Sequence, residues 1–243
     1  MSAKILHGDA TKASDWERAL LGEKANALIT DPPYCILTRR RKGGDLRDKK
    51  ERKIERGPLQ RFEDVREYRA FTAEWMKAGA KFLATGAPMV VWTNFLGKQP
   101  IITVAAELGW VVLRGEYVWG KRTREGNSGE QTLRVVEVAL VLSQDSAPLP
   151  QVEDPAIPWA VVAGYDDDAE GLKWGAHPSH KPFGVLEPLI RCWSRPDRLV
   201  MDPFAGSGSI PLAAARLGRR SVGLEIEAEW AARGQQRILE ATS

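Results

Sequence analysis

The amino-acid sequence predicts an α/β fold with a mostly parallel sheet. Short apolar segments alternate with helical patterns along the chain, and a glycine-rich turn separates one such segment from an alanine-rich helix. The 243 residues are enough for one domain with a sizeable core. We therefore expect a single domain over residues 1–243.

The predicted strands are short runs of apolar residues that end in turn-forming residues. The segments at 110–119 and 134–143 flank a polar turn, which predicts a hairpin at the edge of the sheet. The seven predicted strands cover residues 4–7, 25–30, 88–93, 110–119, 134–143, 199–201 and 221–224.

The predicted helices follow from apolar residues at helical spacing. Ser14 and Glu17 have the spacing of a capping box, which predicts that the first helix begins there. The other predicted helices cover residues 67–84, 99–108, 183–194, an alanine-rich stretch that ends at Gly218, and 228–241.

Two segments depart from this alternation. Residues 39–61 contain eleven Lys or Arg and four Asp or Glu, whereas the whole chain has a net charge of only +3. This concentration predicts that a loop at 36–62 contacts a polyanion, although a charged loop that only aids solubility would look the same. Residues 144–176 are rich in Pro, Asp and Gly, which predicts an irregular insertion.

Composition indicates a cytoplasmic protein. Cys35 and Cys192 are too few for a disulfide framework and are expected to be reduced thiols. The N-terminal residues do not resemble a signal peptide, and no apolar run approaches the roughly 20 residues of a membrane span. Three histidines and two scattered cysteines do not form a metal-ligand set, so no metal is expected.

The glycine-rich turn has the features of a nucleoside-binding site. Gly206 and Gly208 allow a tight turn and a close approach of the ligand, and the following helix presents free backbone N–H groups. Glu225 lies 19 residues after Gly206, at the end of the next strand, where an acid can accept the two ribose hydroxyls of an adenosyl group. The turn has neither the GxGxxG pattern nor the P-loop ending, which argues against NAD and nucleoside triphosphates. A plain αβ turn remains the alternative.

A second motif follows the strand at 25–30. Asp31-Pro32-Pro33-Tyr34 contains two prolines, which fix the backbone and leave carbonyls that only accept hydrogen bonds. The Asp31 carboxylate and the Pro32 carbonyl form a pair of acceptors suited to an aromatic amine, whose lone pair becomes more nucleophilic when its hydrogens are held. Tyr34 offers a face for stacking a planar base. The alternative is a rigid turn with a solvated Asp31 and a Tyr34 that belongs to the core.

Together, the two motifs resemble those of DNA amino-methyltransferases. The order, with DPPY before DPFAGSGS, resembles the β class of DNA N6-adenine and N4-cytosine methyltransferases. Gly8-Asp9, Gly115–Lys121 and His177–Pro182 resemble further motifs of this family. The sequence departs from the family in having Ser209 where Thr is usual, and in having a shorter region for target recognition.

The resemblance implies a Rossmann-like methyltransferase fold, with a seven-stranded, mostly parallel sheet and helices on both faces. It implies S-adenosylmethionine as methyl donor, and a base that is flipped out of duplex DNA so that its amine can reach the methyl group. Asp31, Pro32, Pro33 and Tyr34 would be the catalytic residues. The implied cofactor-binding residues are Asp9, Ala10, Asp31, Lys181, Pro182, Asp202, Phe204, Ala205, Gly206, Ser207 and Glu225.

The resemblance also predicts a function for each of the two segments that depart from the alternation. Residues 36–62 become a loop that contacts duplex DNA, and 144–176 become a short target-recognition insertion in a prokaryotic or phage-encoded enzyme. N6 of adenine is favoured over N4 of cytosine, while an RNA or protein methyltransferase and a non-catalytic DNA-binding module are the other classes. A homodimer and a restriction endonuclease partner are left open. The expected DNA-binding residues are Arg39, Arg40, Arg41, Lys42, Lys49, Lys50, Arg52 and Lys53.

Overall fold

A computed structural model describes residues 3–37, 60–124, 131–146, 159–163 and 180–242, of which 122–124, 131–135 and 242 are described by their backbone alone. The strands are β1 Ala3–His7, β2 Ala27–Thr30, β3 Met89–Thr93, β4 Val112–Arg124, β5 Gln131–Ser143, β6 Ala160–Ala163, β7 Leu199–Asp202 and β8 Arg220–Glu225. The helices are α1 Ala13–Leu20, α2 Val65–Ala80, α3 Lys98–Glu107, α4 Phe183–Trp193, α5 Ser209–Arg216 and α6 Ala228–Thr242. A short 3₁₀ turn, Phe95–Gly97, joins β3 to α3.

The strands form one sheet in the order β1-β8-β7-β2-β3-β5-β4-β6. Only the pairings of β5 with β3 and with β4 are antiparallel among the described strands. The prediction of a mostly parallel α/β sheet is therefore confirmed. Because β1, β8, β7, β2 and β3 run in the same direction, their carboxyl ends lie at one edge, which we call the carboxyl edge.

The sheet has eight strands, not the predicted seven. The additional strand, β6, lies inside the segment that was expected to be irregular, and it pairs in parallel with β4. The predicted hairpin of β4 and β5 is present, but β6 covers its outer side. Its place at the sheet edge was therefore predicted wrongly.

Helices cover both faces of the sheet, as expected. On one face Trp16, Trp75 and Ile101 of α1, α2 and α3 are fully buried against the strands. On the other face Val185 of α4 and Ala213 of α5 pack on the sheet. The successive buried residues of β2, β3, β5 and β7 alternate between these two cores, which is the period-2 pattern of strands buried on both sides.

The beginning of α1 differs from the prediction. The N-cap residue is Lys12, with no side-chain cap, so Ser14 already lies inside the helix. Asp15 instead accepts a hydrogen bond from the backbone N–H of Asp9 at 2.8 Å, which fixes the turn between β1 and α1. Within the described residues, no helix is long and apolar enough to cross a membrane.

Candidate active site

Acidic residues from separate strands meet at the carboxyl edge. Asp31 follows β2, Asp202 ends β7 and Glu225 ends β8, in agreement with a site built from the ends of parallel strands. A small cavity lies between Asp31 and the glycine-rich turn. Seven residues predicted for the site line it: Asp31, Lys181, Asp202, Phe204, Ala205, Gly206 and Ser207.

The glycine-rich turn is tied directly to Glu225. The N–H of Gly206 donates to one carboxylate oxygen of Glu225 at 2.8 Å, and the N–H of Glu227 donates to the other at 2.9 Å. Gly208 has a φ of 82°, in the left-handed region that favours glycine, and α5 begins at the next residue, Ser209. Burial raises the pKa of Glu225, and the two N–H groups oppose that rise.

Asp202 is buried beneath the same turn. Its Oδ1 accepts hydrogen bonds from the Thr30 hydroxyl at 2.7 Å and from the Phe204 N–H at 3.1 Å. Burial outweighs these bonds and raises the pKa of Asp202 to about 7. Its charge therefore depends on pH near neutrality and on any cation placed in the cavity.

The other predicted cofactor residues lie around this core. Phe204 packs edge-to-face on Trp75 with ring centroids 5.4 Å apart, so one side of it belongs to the core while it also lines the cavity. Asp9 follows β1, beside the end of β8, and its carboxylate accepts from the N–H and hydroxyl of Thr11. Ala10 is buried, and Pro182 caps the start of α4.

Asp31 forms a buried ion pair with Lys181. The Lys181 Nζ lies 2.7 Å from Asp31 Oδ2, with the two side chains 3% and 7% exposed. The other oxygen, Asp31 Oδ1, is buried and has no hydrogen-bond partner among the described residues. Burial raises the pKa of Asp31, and the positive charge of Lys181 opposes this rise. A buried carboxylate oxygen without a donor is costly, so this atom is a strong acceptor for a ligand N–H.

Two further charged residues complete the ion network, and neither was among the predicted site residues, although Lys121 ends the motif Gly115–Lys121. Glu137 of β5 accepts from Lys181 Nζ at 3.0 Å and from the Tyr34 hydroxyl at 2.7 Å, and it also pairs with Lys121 of β4. Burial alone would raise the pKa of Glu137, but the charges of Lys181 and Lys121 lower it to about 2. We refer to Asp31, Lys181, Glu137, Lys121 and Tyr34 as the ion network.

The ion network stabilises Lys181 and Tyr34 in their protonated forms. Burial lowers the pKa of Lys181, yet the negative charges of Asp31 and Glu137 more than compensate and raise it, so Lys181 remains an ammonium ion. Burial and the same two carboxylates raise the pKa of Tyr34 well above its ordinary value. The Lys181 Nζ also lies 4.7 Å from the centre of the Trp92 ring, which restricts its position further.

Other predicted residues cannot be placed. All eight of the basic residues predicted to bind DNA, and residues 177–179 of the motif that ends at Pro182, lie outside the described residues. Among the residues that are described, no group of three or more His, Cys, Asp or Glu is arranged to hold a metal ion.

Comparison with known proteins places this fold and site in a family. The family model described as DNA methylase, of the N6/N4 methyltransferase type, matches residues 25–235. The protein named "Putative methylase YubD" of Escherichia coli (strain K12) is 28% identical over 243 residues, covering 97% of this chain and 90% of its own length.

Two solved structures have the same fold. The M1.HpyAVI–SAM complex matches with a TM-score of 0.64 and 23% identity, covering 96% of this chain and 98% of the other. PvuII DNA methyltransferase (cytosine-N4-specific) matches with a TM-score of 0.64 and 17% identity, covering 99% and 91%.

The fold is therefore that of an S-adenosylmethionine-dependent methyltransferase. Since the family match spans most of the sequence, the chain belongs to the N6/N4 DNA methylase family. This confirms the predicted family and the predicted methyl donor, S-adenosylmethionine. The choice between adenine and cytosine is not decided by these matches.

Proposed function

We propose that the protein transfers a methyl group from S-adenosylmethionine to N6 of an adenine that is flipped out of duplex DNA. The observation that carries the proposal is the unpartnered, buried Oδ1 of Asp31 beside the glycine-rich turn. An exocyclic amine supplies the N–H donor that this oxygen lacks. The feature that favours adenine is the Asp31 that leads the DPPY motif, because cytosine enzymes of the family more often have Ser at this position.

The chain's residues fit the cofactor. When bound, S-adenosylmethionine supplies a methyl group made electrophilic by its sulfonium. Glu225 lies beside the glycine-rich turn, and each of its carboxylate oxygens has two lone pairs, so it can accept from ribose hydroxyls in addition to the N–H groups of Gly206 and Glu227. Asp202 offers a negative charge for the ammonium end, and Phe204 offers an apolar ring. The helix N-terminus at Ser209 favours the carboxylate end.

The ion network leaves Asp31 with one free acceptor. Lys181 occupies Oδ2, and its positive charge opposes the rise in the pKa of Asp31 that burial causes, so Oδ1 alone can hold the incoming amine. A carboxylate that accepts from the amine stabilises the positive charge that develops on nitrogen as the methyl group is transferred. The Tyr34 hydroxyl is held by Glu137 and Lys181 and its ring is half-buried against the core, so the ring is fixed beside Asp31, where we propose that it contacts the flipped-out base.

The identity of the target atom is the first test. Duplex DNA methylated by the purified protein should yield N6-methyladenine on digestion and mass spectrometry. N4-methylcytosine without N6-methyladenine would assign the enzyme to cytosine instead. Parallel reactions with RNA and protein substrates are expected to show no transfer. Transfer to neither duplex DNA nor any other substrate would favour a non-catalytic DNA-binding module.

The pH dependence of cofactor binding is the second test. Because burial raises the pKa of Asp202 to about 7, protonation below neutral pH removes the charge that pairs with the cofactor's ammonium group. The affinity for S-adenosylmethionine should therefore fall by about tenfold for each pH unit below 7. Calorimetry from pH 5 to 8 measures this effect, and NAD should not bind.

Two controls make the assignment of Asp202 specific. Asp202→Asn should bind S-adenosylmethionine weakly and with a flat pH dependence. The nucleoside 5′-methylthioadenosine has no ammonium group, so its affinity for the unaltered protein should change little over this range. An equal pH dependence for both ligands would show that another group titrates.

Several expectations remain proposals. We retain the basic segment 39–61 as a contact for the DNA backbone and 144–176 as the target-recognition region, which now includes strand β6. Pairing with a second copy of the chain, or with a restriction endonuclease, stays untested.

A further inference from the structure

An aromatic side chain stands exposed at the carboxyl edge, next to the DPPY motif. Phe95 is 82% exposed, the highest value among the large apolar side chains described, and its neighbour Leu96 is 44% exposed. Both lie on the 3₁₀ turn that follows β3. Exposing an aromatic ring of this size to water is unfavourable, and neither residue belongs to the cores of the two sheet faces.

The turn that carries Phe95 is rigid. The Asn94 side chain caps it by accepting from the Gly97 N–H at 3.0 Å. Gly97 is pressed against the core so closely that a Cβ there would lie 2.1 Å from the Thr93 hydroxyl. The backbone that carries Phe95 is therefore fixed. The side chain projects into solvent from a rigid turn and not from a loose loop.

The same turn is bonded to the residue that follows DPPY. Asn94 Nδ2 donates to the Cys35 carbonyl at 2.9 Å, so the support of Phe95 and the exit of the catalytic motif form one unit. In the register of β2 and β3, Thr30 pairs with Val91, so Asp31 is level with Trp92. Phe95 lies three residues beyond Trp92 in the direction of the strand. That offset is up to about 10 Å toward the side from which DNA must approach.

We infer that Phe95, flanked by Leu96, is the wedge that enters the base stack of the duplex beside the flipped-out base. Extruding a base leaves an apolar gap and unstacks the neighbouring step. An apolar side chain inserted there replaces the lost stacking, which lowers the cost of extrusion. An aromatic ring that projects from a rigid turn one strand away from Asp31 has the chemistry and position for this role. The inference rests on the proposed function, because only a duplex with a flipped-out base has this gap.

The test compares duplexes that differ in the cost of extruding the base. The modified site is first identified by sequencing methylated DNA from a host that expresses the protein. Phe95→Ala should lower kcat/KM on the fully paired duplex by about ten- to a hundredfold, since the unstacking is no longer offset. On a duplex with an abasic site opposite the target base, the same variant should approach the activity of the unaltered protein. Phe95→Trp should retain activity on both.

Matched controls separate this role from other effects. Leu21 is 75% exposed at the end of α1, on the opposite edge of the sheet, so Leu21→Ala should leave the activities on the paired and the abasic duplex unchanged. Leu96→Ala should reduce the activity on the paired duplex. The affinity of Phe95→Ala for S-adenosylmethionine should equal that of the unaltered protein. With 2-aminopurine at the target position, Phe95→Ala should show a smaller fluorescence increase on binding.

Three results would overturn the inference. One is unchanged activity of Phe95→Ala on the paired duplex. Another is an equal loss on the paired and abasic duplexes, which would indicate a general contact. The third is a loss of activity that coincides with a change in sedimentation, which would assign Phe95 to an interface between two copies of the chain. If the unaltered protein methylated no DNA at all, the proposed function itself would fail first.

Discussion

Asp31→Asn is expected to lower the turnover of methyl transfer by about 10²- to 10³-fold, the usual cost of removing one group that stabilises charge in the transition state. Asparagine has the shape of aspartate but no negative charge to oppose the charge that develops on the amine. It also leaves Lys181 without its nearest counter-ion, which is 2.7 Å away in the intact pair. Single-turnover transfer of a labelled methyl group to duplex DNA measures this effect.

The effect of this variant should be confined to the chemical step. Calorimetry should show an affinity for S-adenosylmethionine within a few-fold of that of the unaltered protein, since Glu225 and the glycine-rich turn are intact. Asp197→Asn is a matched control, because Asp197 is exposed and has a φ of 60°, a conformation that asparagine also adopts readily. Near-normal turnover of Asp31→Asn would remove Asp31 from the proposed mechanism.

The parts of the site that follow strand ends could be predicted from the sequence. Asp31 and Asp202 are 171 positions apart in the chain, yet each directly follows or ends a parallel strand. Because parallel strands share one carboxyl edge, local motifs were enough to bring these residues together. The same reasoning placed Glu225 beside Gly206, and the structure shows the bond between them.

Lys181 shows the limit of motif reasoning. Its motif predicted a role in binding the cofactor, and it does line the cavity beside the glycine-rich turn. The structure also bonds its ammonium group to Asp31, Tyr34 and Glu137. The cofactor role stays a prediction, whereas the contacts place Lys181 in the ion network.

Glu137 was missed because it reaches the site through antiparallel pairing, and Lys121 because the resemblance gave no role to this last residue of Gly115–Lys121. Glu137 is on β5, the described strand that runs antiparallel to both of its neighbours, so the residue just before its pairing with β3 lies at the carboxyl edge, next to the pair Thr93–Val138. A signal was present in the sequence, since a carboxylate between Val136 and Val138 in an apolar strand is costly unless it has partners. Strand β6 was missed because four apolar residues in a segment rich in Pro, Asp and Gly are too few to show a period.

The ion network has a direct consequence for the pH dependence of the reaction. Asp31 must be ionised to accept the amine and oppose its developing charge, and its pKa is already raised by burial. The positive charge of Lys181 lowers that pKa, whereas the negative charge of Glu137 raises it. The two neighbours of Asp31 therefore act in opposite directions on the acid limb of the activity profile, which is the pH range in which activity falls as Asp31 becomes protonated.

Substitutions at these two positions should move the acid limb in opposite directions. Lys181→Met removes the positive charge that lowers the pKa of Asp31, so activity should be lost at a higher pH than in the unaltered protein. Glu137→Gln keeps the shape of the side chain but removes a negative charge near Asp31, so the limb should move to lower pH. Measuring kcat/KM for DNA from pH 5 to 9 at saturating S-adenosylmethionine tests both, because bound cofactor keeps Asp202 ionised.

The opposite signs separate an electrostatic role from a structural one. Either substitution leaves a buried charge with fewer partners and should lower the thermal stability. A loss of stability alone reduces activity, but it does not move the acid limb in opposite directions according to the sign of the charge that was removed. Lys181→Arg keeps the positive charge and should keep the limb close to its original position. A limb that moves the same way in Lys181→Met and Glu137→Gln, or in neither, would show that Asp31 is not the group whose ionisation limits the reaction at low pH.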